Sequence, residues 1–191
     1  MQPSRWIHYY TLNRQHLEID QDDYGFGEAW MVCDFRLSYP SHLPMMQVCD
    51  PRQPTAVVPI GRERQRISFM LDSESDFEQE SQPERVWHRA ARYLHPEKAE
   101  LIRVATYTFR SLVARSWRVR RVMLAGDAAH QMPPFLGQGM CSGIRDAQNL
   151  ALKLDLVLRG RNPKLLDTYQ QERQAHVRAV IERGIRPGCR R

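Results

Sequence analysis

Val122-Met-Leu-Ala-Gly-Asp-Ala-Ala-His-Gln-Met-Pro-Pro-Phe-Leu-Gly-Gln-Gly-Met-Cys-Ser-Gly-Ile-Arg-Asp-Ala-Gln-Asn-Leu-Ala-Leu-Lys-Leu154 is the stretch on which the fold turns. It opens with four apolar residues, Val122 to Ala125, which predict a short buried strand. Gly126, Asp127 and His130 follow at the strand end, then Pro133-Pro134-Phe135 and the loop Gly137-Gln138-Gly139. Ile144, Ala147, Ala151, Leu154 and Leu158 recur at helical spacing and predict a long helix with an apolar, buried stripe. Ser142 is a candidate N-cap, and Gly160 suits the helix end. A carboxylate at a strand end can accept hydrogen bonds from a polyol. Glycines let backbone N–H groups approach a ligand closely. The start of a helix favours negative charge.

Each residue also has a plainer explanation. Asp127 alone is an ordinary turn or cap residue. His130, with no second ligand at metal spacing, is better read as a structural hydrogen-bond partner than as an acid/base or metal ligand. Arg145 and Asp146 read as a local ion pair or a cap interaction on the helix, of little energetic value if exposed. Pro133-Pro134 remove two amide donors and stiffen the loop. Gly137-Gln138-Gly139 gains weight only from the helix that follows, where Met140 and Cys141 offer backbone N–H groups.

Outward from this stretch, the chain of 191 residues allows one or two domains. Trp30 to Leu37, Met45 to Cys49, Thr55 to Ile60 and Arg66 to Leu71 predict strands, with turns at Tyr24 to Gly27, Asp50-Pro51 and Gly61 to Arg64. Asp72 to Gln82 is acidic and serine-rich and predicts a surface loop. Pro83 to Leu94 predicts a helix with Val86, Trp87, Ala90 and Leu94 on one face, and Pro96 to Ile102 a second, shorter one. Ala105 to Val113 alternates and predicts a strand that carries Tyr107 and Phe109, aromatics more readily placed in the core than at a substrate. Asn162-Pro163 opens a last helix with Leu166, Tyr169, Val177 and Val180 inward. Short strands on short turns imply an antiparallel sheet. The expected fold is α/β with α+β character: a mostly antiparallel sheet, then a final strand and C-terminal helices. The segments are 1–23, poorly defined; 24–115, the sheet with its helices; 116–184, the strand, loop and helices; and 185–191, a basic tail.

Composition narrows the functional classes. Neither a membrane-length apolar run nor an N-terminal signal core is present, which makes the cytoplasm the default. Cys33, Cys49, Cys141 and Cys189 lack metal-site spacing and read as reduced thiols, so no metal is expected. The net charge of +6 gathers in Arg115 to Arg121 and Arg183 to Arg191. Without a nucleic-acid-binding signature it reads as a solvated face and tail, with no nucleic-acid partner.

The stretch 126–154 resembles the second FAD-contacting motif of the flavin-dependent aromatic hydroxylases, the single-component FAD monooxygenases. The run Pro133 to Ala147 most resembles the 3-(3-hydroxyphenyl)propionate hydroxylase branch, as do Asp50-Pro51, Tyr107 to Phe109 and Leu166 to Arg173. The resemblance implies FAD as cofactor and NADH or NADPH as electron donor. It also implies an oxidoreductase of aromatic catabolism that hydroxylates small phenolic acids. It places Asp127 at the ribityl or phosphate region of FAD, and Pro134 and Phe135 beside the isoalloxazine. Gly139, Met140 and Cys141 then supply backbone contacts to its pyrimidine edge, and Gly126, Gly137 and Gln138 complete the cofactor-binding set. It assigns no catalytic residue here.

The chain departs from that family in lacking the GxGxxG unit that grips the ADP moiety, and Tyr9 to Ile19 lacks an Asp-Gly motif. The expectation is therefore a C-terminal fragment, with Val122 to Ala125 short of parallel neighbours. Such a fragment is inactive alone, or associates with itself or with a complementing partner through an exposed sheet edge. The alternative is a non-catalytic remnant or interaction module.

Overall fold

The computed structural model describes residues 14–72 and 75–185. The predictions for residues 1–13 and for the tail 186–191, including Cys189, lie outside the described residues. The chain divides into two units, one containing residues 14–26 and 109–185, the other residues 27–108.

The second unit is an antiparallel sheet backed by a helix, and two of its strands, the first and the last, continue beyond residues 27 and 108. Its strands are β1 (Gln21–Leu37), β2 (Met46–Val48), β3 (Thr55–Gly61), β4 (Arg64–Leu71) and β5 (Ala99–Ala114), in the order β2-β3-β4-β1-β5. Successive side chains on a strand point to opposite faces, so one face of β1 and β4 carries the apolar set. Met31 lies opposite Phe69 and Cys33 opposite Ile67, all four fully buried. Val57 of β3 adds to this face opposite Ile67. Helix α2 (Pro83–Ala90) lays Val86 and Ala90 on it, with Leu94 just beyond. Burial in this setting pushes the Cys33 thiol up to about 12, so it stays a neutral, inert SH. On the opposite face Arg66 makes two bonds to Asp34, at 2.7 and 3.0 Å.

Several elements differ from the sequence expectation. Tyr24 to Gly27 is not a turn but part of β1, where the Gly25 N–H donates to Asp23 Oδ1 at 2.8 Å. The acidic segment holds a short helix α1 (Phe77–Glu80), because Asp76 caps it by accepting from the amides of Glu78 and Gln79. The second short helix shrinks to a single 3₁₀ turn, Pro96–Lys98, since β5 already begins at Ala99.

The first unit packs two helices, α3 (Gly139–Leu158) and α4 (Thr168–Ile185), with short strands. Strands β6 (Arg118–Val119) and β7 (Val122–Met123) pair antiparallel, and β8 (His130–Gln131) pairs with Leu112 and Val113. The predicted buried strand over Val122 to Ala125 is thus only two residues long, and Val122 is exposed. The core holds Val113, Trp117, Leu124, Tyr169, Val177 and Ile181. The Tyr169 hydroxyl donates to the Leu124 carbonyl at 2.9 Å, fixing the strand end on α4.

Helix α3 is built the other way round from its predicted stripe. Its buried residues are Ser142, Asp146 and Lys153. Met140, Ile144, Leu152 and Leu158 are exposed, as are Ala147 and Ala151. Polar contacts to α4 account for the inversion. Lys153 Nζ bonds Thr168 Oγ1 and Glu172 Oε1, each at 2.7 Å, and Asn149 Nδ2 donates to Glu172 Oε2 at 2.8 Å. Hydrogen bonds from Lys153, Asn149 and Thr168 hold the Glu172 carboxyl down at about 2. Among the described residues no helix is long and apolar enough to cross a membrane.

Candidate functional site

The loop between β8 and α3 lies wholly within the first unit, so its geometry can be followed from end to end. Gly126 turns the chain after the β7 segment with φ of +57°, a left-handed conformation that favours glycine. A Cβ placed on Gly126 would lie 3.6 Å from the Gly143 Cα, so the turn and helix α3 meet at two glycines. Asp127 follows, exposed, in the 3₁₀ turn Gly126–Ala128.

Beyond β8, Pro133 is buried and Pro134 exposed. The turn Pro134–Leu136 closes on Gly137, whose φ is +59° and whose N–H donates to the Pro134 carbonyl at 2.9 Å. The half-buried Phe135 meets Phe26 edge to face, with ring centroids 5.8 Å apart. Gln138 occupies the cap position of α3 without capping it, and the first intrahelical bond runs from Ser142 N–H to the Gln138 carbonyl at 2.8 Å. The amides of Gly139, Met140 and Cys141 therefore have no partner within the helix. Ser142 is the fourth residue of α3 and fully buried, so the predicted Ser142 cap is replaced by an uncapped start.

The surroundings of these amides are open. Cβ atoms built on Gly137 or Gly139 meet nothing within 4 Å, and Met140 is 76 % exposed. A flat group with a negatively charged edge fits such a place: free amides and a helix start for the charge, Pro134 and Met140 for the apolar faces. The residues present are thus compatible with a flavin ring, since a Cβ built on either glycine would meet nothing within 4 Å.

Behind the loop stands a charged cluster that the sequence analysis missed. Asp146 is fully buried, not part of a surface pair with Arg145. Its Oδ2 receives the Gly126 N–H at 3.1 Å and His130 Nε2 at 2.6 Å, and its Oδ1 receives Arg173 Nε at 2.8 Å. A carboxylate only accepts, so His130 Nε2 is the protonated nitrogen. Burial by itself raises the Asp146 carboxyl, but the bonds from His130, Arg173 and Gly126 outweigh it and hold the group below its ordinary value. His130 is accordingly the structural partner the sequence suggested. Arg145 is exposed and donates to Gln138 Oε1 at 3.4 Å. One signal for the cluster was available: Ser142, Asp146, Asn149 and Lys153 form a polar stripe at helical spacing.

Comparison with known proteins shows the family. The family model for an FAD binding domain matches residues 12–184. The chain is 56% identical, over 177 residues, to a probable NADH-specific resorcinol 4-hydroxylase of Rhodococcus jostii, covering 92% of this chain and 33% of the relative. It is 41% identical to a 3-(3-hydroxy-phenyl)propionate/3-hydroxycinnamic acid hydroxylase of Mycolicibacterium smegmatis, covering 90% of this chain and 31% of the relative. Among solved structures it is similar to aklavinone-11 hydroxylase in its complex with FAD and aklavinone. The TM-score is 0.77 and the identity 27%, over 91% of this chain and 34% of that one. The chain spans about a third of the length of these relatives.

Proposed function

Because the chain belongs to the FAD binding domain family, whose members similar to it are phenolic hydroxylases, we propose that it forms the flavin-edge part of an FAD-dependent aromatic monooxygenase. The substrates are small phenolic compounds, and NADH or NADPH is the electron donor. The 56% identity to an NADH-specific relative favours NADH. The observation that carries this assignment is the uncapped start of α3 beside two glycines with open space around them.

When bound, FAD supplies the oxygen activation and the redox chemistry. The residues of this chain bind and orient it. Asp127, exposed at the turn, accepts hydrogen bonds from the ribityl hydroxyls. Pro134 and Phe135 line the ring, with Phe135 braced by Phe26. Gly137 and Gln138 shape the approach. The amides of Gly139, Met140 and Cys141, at the positive end of a 20-residue helix, stabilise negative charge at the pyrimidine edge. No residue of the chain is assigned proton transfer.

Titration of FAD with the purified chain, followed by flavin fluorescence, tests the assignment. Saturable quenching is expected, with no NADH consumption on addition of resorcinol or 3-(3-hydroxyphenyl)propionate to this chain alone. Emission unchanged up to the solubility limit of the chain contradicts it.

A second role is favoured by the outer face of α3, where Met140, Ile144, Leu152 and Leu158 are exposed. On this account the chain is a module that pairs through apolar surface with another polypeptide or a second copy. Sedimentation of the purified chain then shows concentration-dependent association, and Ile144→Glu abolishes it. A strictly monomeric wild-type chain removes self-pairing.

A further inference from the structure

We infer that Asp146 is a positioning residue for the flavin-edge loop: its buried carboxylate sets the strand-end turn that carries Asp127 against the helix whose start carries the free amides. The proposal rests on the flavin assignment above for its purpose, but its geometry stands alone.

Two groups assigned to the cofactor lie on different elements. Asp127 belongs to the turn after β7, and Gly139 to Cys141 open α3. A ligand that touches both requires a fixed separation between them. The connection between the two elements runs through β8 and the loop 132–138, whose Pro134, Leu136 and Gly137 are exposed. A surface loop is a poor ruler.

Asp146 does what the loop cannot. It lies about two turns beyond Gly139 on the same continuous helix. From there its Oδ2 takes the Gly126 N–H at 3.1 Å, at the residue directly before Asp127. The same oxygen takes His130 Nε2 at 2.6 Å, just before the proline loop. Arg173 Nε holds the other oxygen at 2.8 Å from α4. The carboxylate is fully buried, so water does not compete for these bonds. The close approach of Gly126 to Gly143 lets the turn come near enough for the bond to form.

An asparagine side chain at this position cannot satisfy all three donors. Both carboxylate oxygens receive N–H groups, so the NH₂ group introduced by Asp146→Asn would face either Arg173 or the pair Gly126 and His130. The test is amide hydrogen exchange on the full chain, comparing Asp146→Asn with Ile181→Ala. The second change weakens the same core without touching the carboxylate, since Ile181 belongs to the apolar cluster. In Asp146→Asn, exchange at Gly126 is expected to rise about tenfold more than at Val177 of α4, the worth of one hydrogen bond to a charged group. In Ile181→Ala the two amides accelerate together. FAD affinity falls about tenfold in Asp146→Asn and stays within about twofold in Ile181→Ala.

Parallel acceleration of Gly126 and Val177 in Asp146→Asn reduces the residue to general stability and overturns the proposal. Absence of flavin quenching by the wild-type chain overturns the flavin assignment instead, while the exchange result still decides the role of the carboxylate. If Asp146→Asn does not fold, Asp146→Glu carries the same comparison. It keeps the charge and shifts it by one methylene, so Gly126 still exchanges faster relative to Val177.

Discussion

Asp146→Ala is expected to destabilise the first unit by about 3–5 kcal/mol, the cost of removing one partner from a buried ion cluster. The reason is what remains. Arg173 keeps its charge with its side chain 11% exposed, and His130 stays buried without an acceptor for Nε2. The Gly126 amide loses its acceptor too, and a buried donor without a partner costs free energy of its own. Urea unfolding at neutral pH, read by tryptophan fluorescence, measures the loss as a fall in midpoint. A midpoint within experimental error of wild type would show that the cluster contributes nothing. Acid should reproduce part of the effect in the wild-type chain. The Asp146 carboxyl is held below its ordinary value in the folded chain, so the unfolded chain takes up its proton first as pH falls. The stabilisation is complete above the unfolded carboxylate range, near about 4, and disappears as pH drops through the lower folded value. Asp146→Ala lacks this component, so its stability depends less on pH below about 4 than that of the wild type.

The contrast between Asp146 and Asp127 shows what local sequence can and cannot tell. Asp127 stands in a recognisable run of residues and is exposed, whereas Asp146 sits in a helix among charged neighbours and is buried. Spacing reveals a helix because its period is intrinsic to the backbone. It does not reveal which face is covered, because that depends on partners far along the chain. The stripe Ile144, Ala147, Ala151, Leu154 and Leu158 correctly marks α3 as helical, but all of it except the half-buried Leu154 is exposed, while Lys153 and Asp146 find Glu172 and Arg173 on α4. Strands β1, β3 and β4 were legible for a related reason. One face of their sheet is buried, so in β1 the alternation of Cys33, Phe35 and Leu37 with Asp34 and Arg36 carries the information locally, whereas the part of β1 before Trp30 was not legible. The apolar run Val122 to Ala125 lacked that alternation and reads like a fully buried strand, whereas only Leu124 within it is buried. In the site, the glycine loop and the helix just after it were readable from turn chemistry, but the Ser142 cap was not borne out, since α3 already begins at Gly139. The cluster behind them was not, since its other members lie 16 to 27 residues from Asp146 along the chain.

Trp117→Ala is expected to match Asp146→Ala in size, by a different route. Trp117 is a fully buried indole at the centre of the first unit's core. Its ring lies 5.4 Å from the His130 ring and 5.6 Å from that of Tyr169. Its Nε1–H donates to the Ala114 carbonyl at 3.1 Å, its backbone N–H to Gln170 Oε1 at 3.0 Å, and its carbonyl accepts the Leu124 N–H at 2.8 Å. Truncation to alanine keeps the backbone bonds and removes the ring, leaving a cavity at a cost of about 3–5 kcal/mol. That cavity borders the His130 ring, so the imidazole gains room to tilt and its bond to the Asp146 carboxylate weakens. Trp117→Phe separates the two consequences. It restores most of the packing against His130 and Tyr169 and loses only the indole donor, while the Ala114 carbonyl still accepts from Gln174 Nε2 at 3.2 Å. The expected cost is about 1 kcal/mol, that of one neutral hydrogen bond. Thermal unfolding followed by circular dichroism orders the three chains as wild type, Trp117→Phe, then Trp117→Ala. Equal losses in the two variants would mean that the hydrogen bond, not the filling of space beside His130, is what Trp117 supplies.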